Sequence, residues 1–367
     1  MTKFKSLLVF LFLAIGIGAE AAHAQPAPKA GTMQTVFENK ERQLTGVAVS
    51  ATGRIFTNYP RWAGPYQNAL EEVTSLHQSK PFPDKTWNSW NGSGDKMAHF
   101  LCVQAVVIDQ EDFMWVVDAG ATGTLPQTDK GQKLVQIDLK TNTVLRVYPL
   151  AAATDGGSYA NDARIDSKNQ LAYITNSNQG GIIIVDLKSG DVRQVLNHRR
   201  VTLADTSYQM QRHNKPLLQH GKPFRVHSDG IALSPDGKFL FFKALTDDRL
   251  FKVATADLNH TALSDDELEA RVLCLGNFTT TDGLGMDNLG NLYLGDLEKR
   301  QLICLSPDLK VRVIVPPDEA LAWPDSYHFT ADGWLYISCS RIDEQPQFHN
   351  GKNQRQGPYK IVRIKLY

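Results

Sequence analysis

The sequence lacks an excess of either charge. Its 367 residues include 39 lysines and arginines and 39 aspartates and glutamates, so the formal net charge is zero. Proteins that bind nucleic acids or acidic membrane surfaces normally carry a basic excess or a basic stripe. We therefore expect a small-molecule ligand or substrate as the partner, and neither nucleic acid nor a membrane.

Cysteine is also scarce. The chain has only four, at Cys102, Cys274, Cys304 and Cys339, and they form no C-x-x-C pair. This spacing disfavours zinc ribbons and thioredoxin-type redox sites. Two interpretations stay open: two disulfides in one of three pairings if the compartment is oxidising, or buried free thiols.

Only one long hydrophobic run is present. Residues 6–19 read SLLVFLFLAIGIGA; they follow the basic start MTKFK and precede the small-x-small site Ala22-His23-Ala24. This order is typical of a cleavable signal peptide, which we predict over residues 1–24. The run is too short for a spanning helix, which needs about 20 apolar residues. The sequence thus predicts a soluble, monomeric domain of residues 25–367 that is secreted or periplasmic.

The common catalytic signatures are missing as well. We find no G-x-S-x-G elbow, no H-E-x-x-H helix, no phosphate-binding loop and no dinucleotide fingerprint. The enzyme classes that depend on those motifs are therefore disfavoured.

What the sequence does contain is one short unit in six copies. The stretch HSDGIALSPDGKFLFF, residues 227–242, is typical of a strand, a Pro-Asp-Gly turn and a second strand. In each copy a polar residue, which we call the leading residue, stands at the start of the first strand. A turn residue lies eight positions after the leading residue. The six leading positions are Thr45, Gln104, Asp162, Asp229, Asp282 and Asp325.

A third strand follows most copies, and in several a fourth, as in KLVQIDL and VLRVYPL. A period of roughly 45 to 65 residues with up to four strands is the pattern of a β-propeller blade. The sequence therefore predicts an all-β fold, a six-bladed β-propeller in a single domain. The segment MQTVFEN, residues 33–39, is expected to complete the sixth blade, which closes the ring and removes an exposed sheet edge.

The leading residues are expected to converge, because the innermost strands of a propeller all start at one mouth of the channel. Four of the six are aspartates, and neighbouring carboxylates raise one another's pKa unless a cation neutralises them. Oxygen ligands suit Ca²⁺ or Mg²⁺ before Zn²⁺. Two alternatives stay open: each aspartate caps its own turn, or Lys243 and Arg164 supply the neutralising charge.

Other residues are expected at the same mouth. His227 could act there as a general base, the rings of Tyr59 and Trp62 could form a ligand platform, and the long connection of residues 197–226 could line the entrance. A second polar ring is predicted fourteen residues after each leading position, provided that the strands carry no bulges. Its members are Tyr59, Asp118, Asn176, Lys243, Asp296 and Cys339.

The stretches NYPRWAGPYQNALEEV, KPFPDKTW, VVIDQEDFMWVVDAG, SDGIALSPDGKFLFFKALTDDRLFKV and WPDSYHFTADGWLYIS resemble the major royal jelly and yellow protein family in a bacterial-type form. The resemblance runs from about residue 40 to the C-terminus. It implies a six-bladed propeller, in agreement with the count of repeats. It does not fix the chemistry, because that family includes nutritional proteins, salivary binders of biogenic amines and members linked to dopachrome conversion.

The repeats are more distantly similar to the gluconolactonase and regucalcin superfamily, whose propellers hold a divalent ion at the channel mouth. That resemblance implies that Asp229 and Asp282 are metal ligands and that Asn161 contacts the substrate. A glutamate in the first blade completes the ligand set in that superfamily. Here Thr45 and Gly46 occupy its place, so one charged ligand is missing.

These observations favour an enzyme, a metal-assisted hydrolase or isomerase of lactone-like or sugar-derived compounds. Asp229 and Asp282 would hold a divalent cation, preferably Ca²⁺, that polarises the substrate carbonyl. The predicted catalytic residues are Asp162, Asp325 and Asp282, of which Asp162 or Asp325 would take up a proton. The predicted substrate-binding residues are Asn161, Gln104, Tyr59, Trp62, Asn176 and His227.

Two other functions use the same residues. A non-catalytic binding protein would hold a small amine or aromatic ligand between the carboxylates and the Tyr59 and Trp62 rings, through ion pairing and cation–π contacts. A dopachrome-type tautomerase would use the same acids without a metal.

Overall fold

The computed structural model describes residues 31–62, 65–120 and 131–367, and this part of the chain forms six four-stranded antiparallel sheets. The predicted signal peptide, residues 1–24, lies outside the described residues. The innermost strand of each sheet contacts that of the next, and the sixth contacts the first. The predicted six-bladed propeller is therefore confirmed.

The strands of each blade follow one another from the channel outward. Blades 1 to 3 consist of Ala48–Val49, Ile55–Asn58, Leu70–Ser75 and Gln78–Pro81; of Val103–Ile108, Phe113–Asp118, Lys133–Asp138 and Thr143–Pro149; and of Ala160–Asp166, Leu171–Asn176, Ile182–Asp186 and Val192–Val195. Blades 4 to 6 consist of Ser228–Leu233, Phe239–Ala244, Arg249–Ala254 and Leu273–Asn277; of Leu284–Met286, Leu292–Asp296, Gln301–Leu305 and Val311–Val315; and of Pro324–Phe329, Trp334–Cys339, Tyr359–Lys365 and Gln34–Asn39.

The remaining elements are short. Two small hairpins, Gln211–Arg212 with Lys215–Pro216 and Leu218–Gln219 with Lys222–Pro223, interrupt the connection between blades 3 and 4. The helical segments are Lys96–Ala98, Thr255–Leu258, Asp265–Glu269, Glu319–Leu321, Ile342–Glu344 and Pro346–Phe348. In the described part of the chain no helix is long and apolar enough to cross a membrane.

The first hairpin of every blade turns at the same point. The residue eight positions after each leading residue has a positive φ in all six copies: Gly53, Asp112, Gln170, Gly237, Gly290 and Gly333. Glycine adopts this conformation without steric cost, and aspartate tolerates it better than most residues. The eight-residue spacing of the sequence thus reflects one repeated turn.

The hydrophobic core is divided among the blade interfaces. Six clusters of buried apolar side chains each draw on two neighbouring blades, and together they run around the ring. The cluster between blades 6 and 1 contains Phe37, Val47, Tyr59, Tyr336 and Ile361. Each blade therefore packs on both of its neighbours.

The ring closes through the N-terminal strand. Gln34–Asn39 pairs antiparallel with Tyr359–Lys365, so that Thr35 lies opposite Val362 and Glu38 opposite Lys360. Phe37 on this strand is only 1% exposed. The predicted closure of the sixth blade by residues 33–39 is consistent with this sheet.

All four cysteines are free thiols, and Cys274 alone among them is exposed. Of the two interpretations of the cysteines, the structure therefore agrees with free thiols, three of them buried.

Candidate functional site

Four aspartates come together where the inner strands begin. Asp162, Asp229, Asp282 and Asp325 are each at most 7% exposed, and we call them the acid cluster. Three of them lie at β-bulges, because the register of the first hairpin shifts between Ala160 and Ala163, between Ser228 and Ile231, and between Pro324 and Tyr327. A bulge re-aims a side chain relative to a regular strand, which accounts for several acidic residues facing one centre.

The glycines after two of these aspartates allow the inner strands to approach closely. A Cβ atom on Gly230 would lie 2.5 Å from the carbonyl oxygen of Asp282, and one on Gly283 would overlap the carbonyl oxygen of Asp325. The Gly283 N–H donates to that same Asp325 oxygen over 2.9 Å. The repeated Asp-Gly pair therefore reflects contact between neighbouring blades, and the alternative that each aspartate caps its own turn does not explain it.

Burial and mutual repulsion raise the pKa values of the cluster. Burial raises the pKa of Asp229 well above its usual range, and the charges of Asp282, Asp162 and Asp325 raise it further. Burial also raises the pKa of Asp325 well above its usual range, and the charges of Asp282 and Asp162 raise it further. Near-neutral solution therefore leaves protons on this cluster unless a cation is present.

Two aspartates of the acid cluster have pKa values close to neutrality. Burial raises the pKa of Asp282 to about 7, against the opposing effect of the Trp323 hydrogen bond. Burial raises the pKa of Asp162 to about 6, against the opposing charge of Arg164. Both carboxyls can therefore gain or lose a proton close to neutral pH.

Asp229 and Asp282 form the centre of the cluster. Their carboxyl groups lie within hydrogen-bonding reach of one another. Asn161 Nδ2 donates to Asp229 Oδ2 over 2.8 Å, and Trp323 Nε1 donates to Asp282 Oδ2 over 2.6 Å. Asp229 Oδ1 is buried and accepts no hydrogen bond from any described residue. A shared proton or a bound cation would satisfy it.

The nearby cations do not pair with the acid cluster. The buried Lys243 ammonium donates to the carbonyl oxygens of Ala244 and Asp247, at 2.6 and 2.7 Å, and burial lowers its pKa to about 8. The Arg164 guanidinium donates to the carbonyl oxygens of Ala163 and Leu284. Within the described chain neither residue forms an ion pair with an aspartate of the cluster, so neutralisation by Lys243 and Arg164 is incomplete.

A cavity of about 160 Å³ opens onto this centre, and we call it the mouth cavity. Its polar lining includes Gln104, Asn161, Asp229 and Asp282, and the cation Arg225 also lines it. Its aromatic walls are Trp62, Tyr159, Phe224, Trp323 and Phe348.

A hydrogen-bonded chain fixes one side of the mouth cavity. Trp62 Nε1 donates to the Tyr159 hydroxyl, which donates to Gln104 Oε1, each over 2.9 Å. Gln104, predicted from its leading position, is thereby oriented by two aromatic residues.

The long connection lines the mouth cavity, as predicted. Gln219, Phe224, Arg225 and Val226 from residues 197–226 line the mouth cavity. Phe224 packs edge-on against Phe348, with ring centroids 5.1 Å apart. Two polar contacts join the same two segments: the His220 N–H donates to the Gln347 carbonyl, and Arg212 pairs with Asp343 over 2.6 Å.

The structure brings some predicted site residues to the mouth cavity and not others. Gln104, Asn161, Trp62, Asp229 and Asp282 line it. Asp162 and Asp325 adjoin the pair within the acid cluster, but they are not part of the cavity lining.

Three predicted substrate-binding residues lie elsewhere. Tyr59 lines a neighbouring cavity. Asn176 binds the main chain, since its Oδ1 accepts from the Tyr159 N–H over 3.0 Å. His227 Nδ1 accepts from the Ala204 N–H over 3.0 Å, and burial lowers the pKa of this histidine.

The second polar ring does not line the mouth cavity. Bulges of the kind that the prediction had to exclude occur in the first hairpins of blades 2, 3, 4 and 6. The charged members of the ring bind elsewhere. Asp118, for example, accepts hydrogen bonds from the Leu101, Cys102 and Gly120 N–H groups and pairs with the fully buried Lys133 over 2.7 Å.

Tyr159 and Trp323 are two of the aromatic site residues that were missed from the sequence, and Phe348 is a third. Tyr159 and Trp323 stand three and two positions before the leading residues Asp162 and Asp325. The positions just ahead of each leading residue therefore carried a usable signal, since they belong to the loops that enter the mouth.

The residues present fit a divalent cation held by two carboxyl groups. Asp229 and Asp282 supply hard oxygen ligands, and the unpartnered Asp229 Oδ1 is the kind of buried atom that an ion satisfies. Thr45, at the place of the missing glutamate, donates its hydroxyl to the Gln104 carbonyl over 3.1 Å and supplies no ligand. Across the described residues no group of three or more His, Cys, Asp or Glu side chains is arranged as a metal site. Among the described residues, Asp162 and Asp325 adjoin the pair but therefore do not complete a three-ligand metal site with it.

Comparison with known proteins supports both the fold and the family. A family model described as major royal jelly protein matches residues 101–313, more than half of the chain. Among curated protein sequences none matches this chain.

Several solved structures share the fold. A gluconolactonase from Xanthomonas campestris aligns with a TM-score of 0.54 and 11% identity, over 94% of this chain and 96% of that one. The calcium-binding protein regucalcin from Agrobacterium tumefaciens gives 0.52 and 14%, over 91% and 95%. Virginiamycin B lyase from Staphylococcus aureus gives 0.52 and 11%, over 92% and 99%.

Proposed function

The chain belongs to the major royal jelly protein family, and from that premise we propose that it is an enzyme, a hydrolase or isomerase of lactone-like or sugar-derived compounds. The observation that carries the proposal is the buried pair Asp229–Asp282, which opens onto an aromatic-walled cavity and has one carboxyl oxygen without a partner among the described residues. Buried groups with shifted pKa values in a cleft are typical of catalytic sites.

The names of two structural neighbours support the proposed enzymatic function. Two proteins that share this fold are named as a gluconolactonase and as the calcium-binding protein regucalcin. On this basis we propose a divalent cation, Ca²⁺ before others, at Asp229 and Asp282. The ion when bound supplies positive charge that polarises a substrate carbonyl.

The chain's own residues would bind the substrate and move a proton. Asn161, held by its bond to Asp229 Oδ2, and Gln104, held by Tyr159, present amide groups to a polar substrate. We assign proton transfer to Asp162 or Asp325, and since neither lines the cavity, the transfer requires one bridging water.

A second candidate function is supported by the cavity walls. Carboxyl groups next to the rings of Trp62, Tyr159 and Trp323 form an environment suited to a small amine, through ion pairing and cation–π contact. A protein of this kind would bind without turnover, and a tautomerase would use the same acids without a cation.

Cation binding distinguishes these candidates. In chelator-treated protein, residues 25–367, added Ca²⁺ is expected to raise the melting temperature by a few degrees, because a ligand held only by the native state at a hundredfold excess over Kd stabilises by about 2.7 kcal/mol. Asp229→Asn should abolish the increase, while Asp236→Asn, at an exposed hairpin turn of the same blade, should retain it.

If none of Ca²⁺, Mg²⁺, Mn²⁺ and Zn²⁺ stabilises the wild type, the cation part of the proposal is wrong, and amines and catechols become the ligands to screen. If an ion binds, turnover of a lactone series by wild type and Asp229→Asn decides the activity.

We also propose that the chain is exported after cleavage behind Ala24 and acts as a monomer. Mass spectrometry of the secreted or periplasmic form would test the first part, since the mature N-terminus is expected at Gln25.

A further inference from the structure

A second cavity, of about 350 Å³, lies beside the mouth cavity where blades 6 and 1 meet, and we call it the outer cavity. It shares Trp62, Gln345 and Gln347 with the mouth cavity. Its volume falls within the range of small-molecule sites, which is about 300 to 1,000 Å³. None of the four acid-cluster aspartates lines it.

Aromatic rings form much of its wall. Tyr59, Trp62 and Tyr66 follow the second strand of blade 1, Tyr359 begins the third strand of blade 6, and all four line this space. Arginines stack on three of these rings, with guanidinium carbons 4.2 to 4.7 Å from the ring centroids: Arg61 on Tyr66, Arg42 on Tyr59 and Arg355, itself in the wall, on Tyr359. Such stacking holds the rings in fixed orientations, so that the wall is preorganised for a flat ligand.

The lining of the outer cavity contains more basic than acidic residues. Arg341 and Glu344 neutralise each other, since Arg341 donates to both Glu344 oxygens over 2.8 and 3.0 Å. Lys40 and Arg355 form no ion pair with any described residue, and Glu41 is the only other acidic residue in the lining. Lys40 and Glu41 are both exposed, whereas Arg355 is half-buried. The fixed positive charge in the wall is therefore that of Arg355.

One edge of the Arg355 guanidinium makes no hydrogen bond within the described part of the chain. Its Nη1 donates to the Gly357 carbonyl over 2.9 Å, and its plane lies over the Tyr359 ring. Its Nε is buried and has no hydrogen-bond partner among the described residues. A buried N–H group without a hydrogen-bond partner lowers the stability of the folded protein. The Nε–H group and the adjacent terminal N–H group of a guanidinium together can bind a carboxylate through two parallel hydrogen bonds.

We propose that the outer cavity is a binding site for an aromatic carboxylate, whose ring packs among Tyr59, Trp62, Tyr66 and Tyr359 and whose carboxylate binds Arg355. The chemical class follows from the two properties of the wall, its flat aromatic surfaces and its one unpaired, half-buried guanidinium. The site does not depend on the acid cluster, and the inference does not rest on the proposed enzymatic function.

The test compares four probes in ligand-observed NMR titrations of chelator-treated protein: phenylacetate, its neutral isostere phenylacetamide, phenethylammonium and acetate. Phenylacetate is expected to bind at least about tenfold more tightly than phenylacetamide, because charge-assisted hydrogen bonds are the stronger ones. Acetate, which lacks the ring, and phenethylammonium, which has the wrong charge, are expected to bind more weakly still.

Arg355→Gln is expected to weaken phenylacetate binding at least about tenfold and to remove the preference over phenylacetamide. Two matched variants should leave the affinity unchanged: Arg312→Gln, at an exposed position on the outer strand of blade 5, and Asp229→Asn, in the acid cluster. Melting temperatures of all variants verify that each is folded.

Four outcomes overturn the inference, and three of them concern phenylacetate binding and Arg355. Phenylacetate does not bind saturably at millimolar concentration; phenylacetamide binds as tightly as phenylacetate; or folded Arg355→Gln retains the wild-type affinity. A change of affinity in Asp229→Asn alone would place the probe in the mouth cavity and would equally refute the assignment.

Discussion

Asp229→Asn is expected to make the cation-free protein more stable at pH 8, by on the order of 2 to 4 kcal/mol in the free energy of unfolding. The substitution removes one buried charge from a cluster of four, and Asn161 can still donate to the amide oxygen of the new side chain. Each unit of pKa difference between the folded and unfolded states corresponds to about 1.4 kcal/mol. Sites that concentrate like charges commonly lower stability, so their removal raises it.

The pH dependence of this gain has a definite sign. In the wild type the folded-state pKa values of Asp229, Asp282 and Asp162 lie above their unfolded values, the latter two at about 7 and 6. Their contribution to stability is complete below pH 4, and it is lost as the pH rises through the folded-state values. Wild type and variant should therefore be nearly equal at pH 4 and diverge towards pH 8.

Chemical denaturation in the presence of chelator at pH 4, 6 and 8 measures this divergence. Asp236→Asn carries the same change of charge at an exposed position and should show no gain in stability over the wild type at any of these pH values. A variant that is less stable than the wild type at pH 8 would show that the Asp229 carboxylate is compensated in the folded protein, which contradicts the description of the acid cluster given above.

Phe37→Ala is expected to destabilise the protein by about 3 to 5 kcal/mol. Phe37 is buried between blades 6 and 1 on the strand that closes the ring, where it packs with Tyr59, Tyr336 and Ile361. Its truncation leaves a cavity at the one interface that depends on segments from both ends of the described chain. Urea denaturation at constant pH gives the free energy directly.

Thr35→Ala is the matched control, because Thr35 lies on the same strand and is exposed. It should cost less than about 1 kcal/mol, the span of strand propensities. If Phe37→Ala were equally mild, the closing strand would contribute little to the core, and the ring would have to be stabilised by the other five interfaces.

The propeller could be predicted from the sequence because its turns repeat. Glycine at four of the six turn positions, and polar residues at Asp112 and Gln170, allow the positive φ that the hairpin requires. The same spacing predicted that the aspartates converge, because residues at equivalent positions of the repeat begin equivalent strands of the blades. Local chemistry and global fold agree at these positions, which is what makes a fold predictable.

The details of the site could not be predicted in the same way. Bulges at Asp162, Asp229 and Asp325 leave no mark in the alternation of apolar residues, yet they decide which side chains face the centre. Gly230 and Gly283 are followed by ordinary strands, and the contact that demands them comes from the next blade. Phe224 reaches the mouth from a long connection whose path depends on its packing with Phe348.

The pairing of Thr35 with Val362 has a kinetic consequence. Within each of blades 1 to 5 the strands are neighbours in sequence and can pair early, whereas the final sheet joins segments separated by nearly the whole described chain. The free-energy cost of closing a loop grows only with the logarithm of its length, by about 0.6 kcal/mol for each doubling, so this closure is thermodynamically accessible. It is nevertheless slow, because pairing between segments that are distant in sequence slows folding. Until it occurs, Tyr359–Lys365 presents an unpaired edge on which a second molecule could form the missing strand, so the folding of this protein competes with its dimerisation by strand exchange.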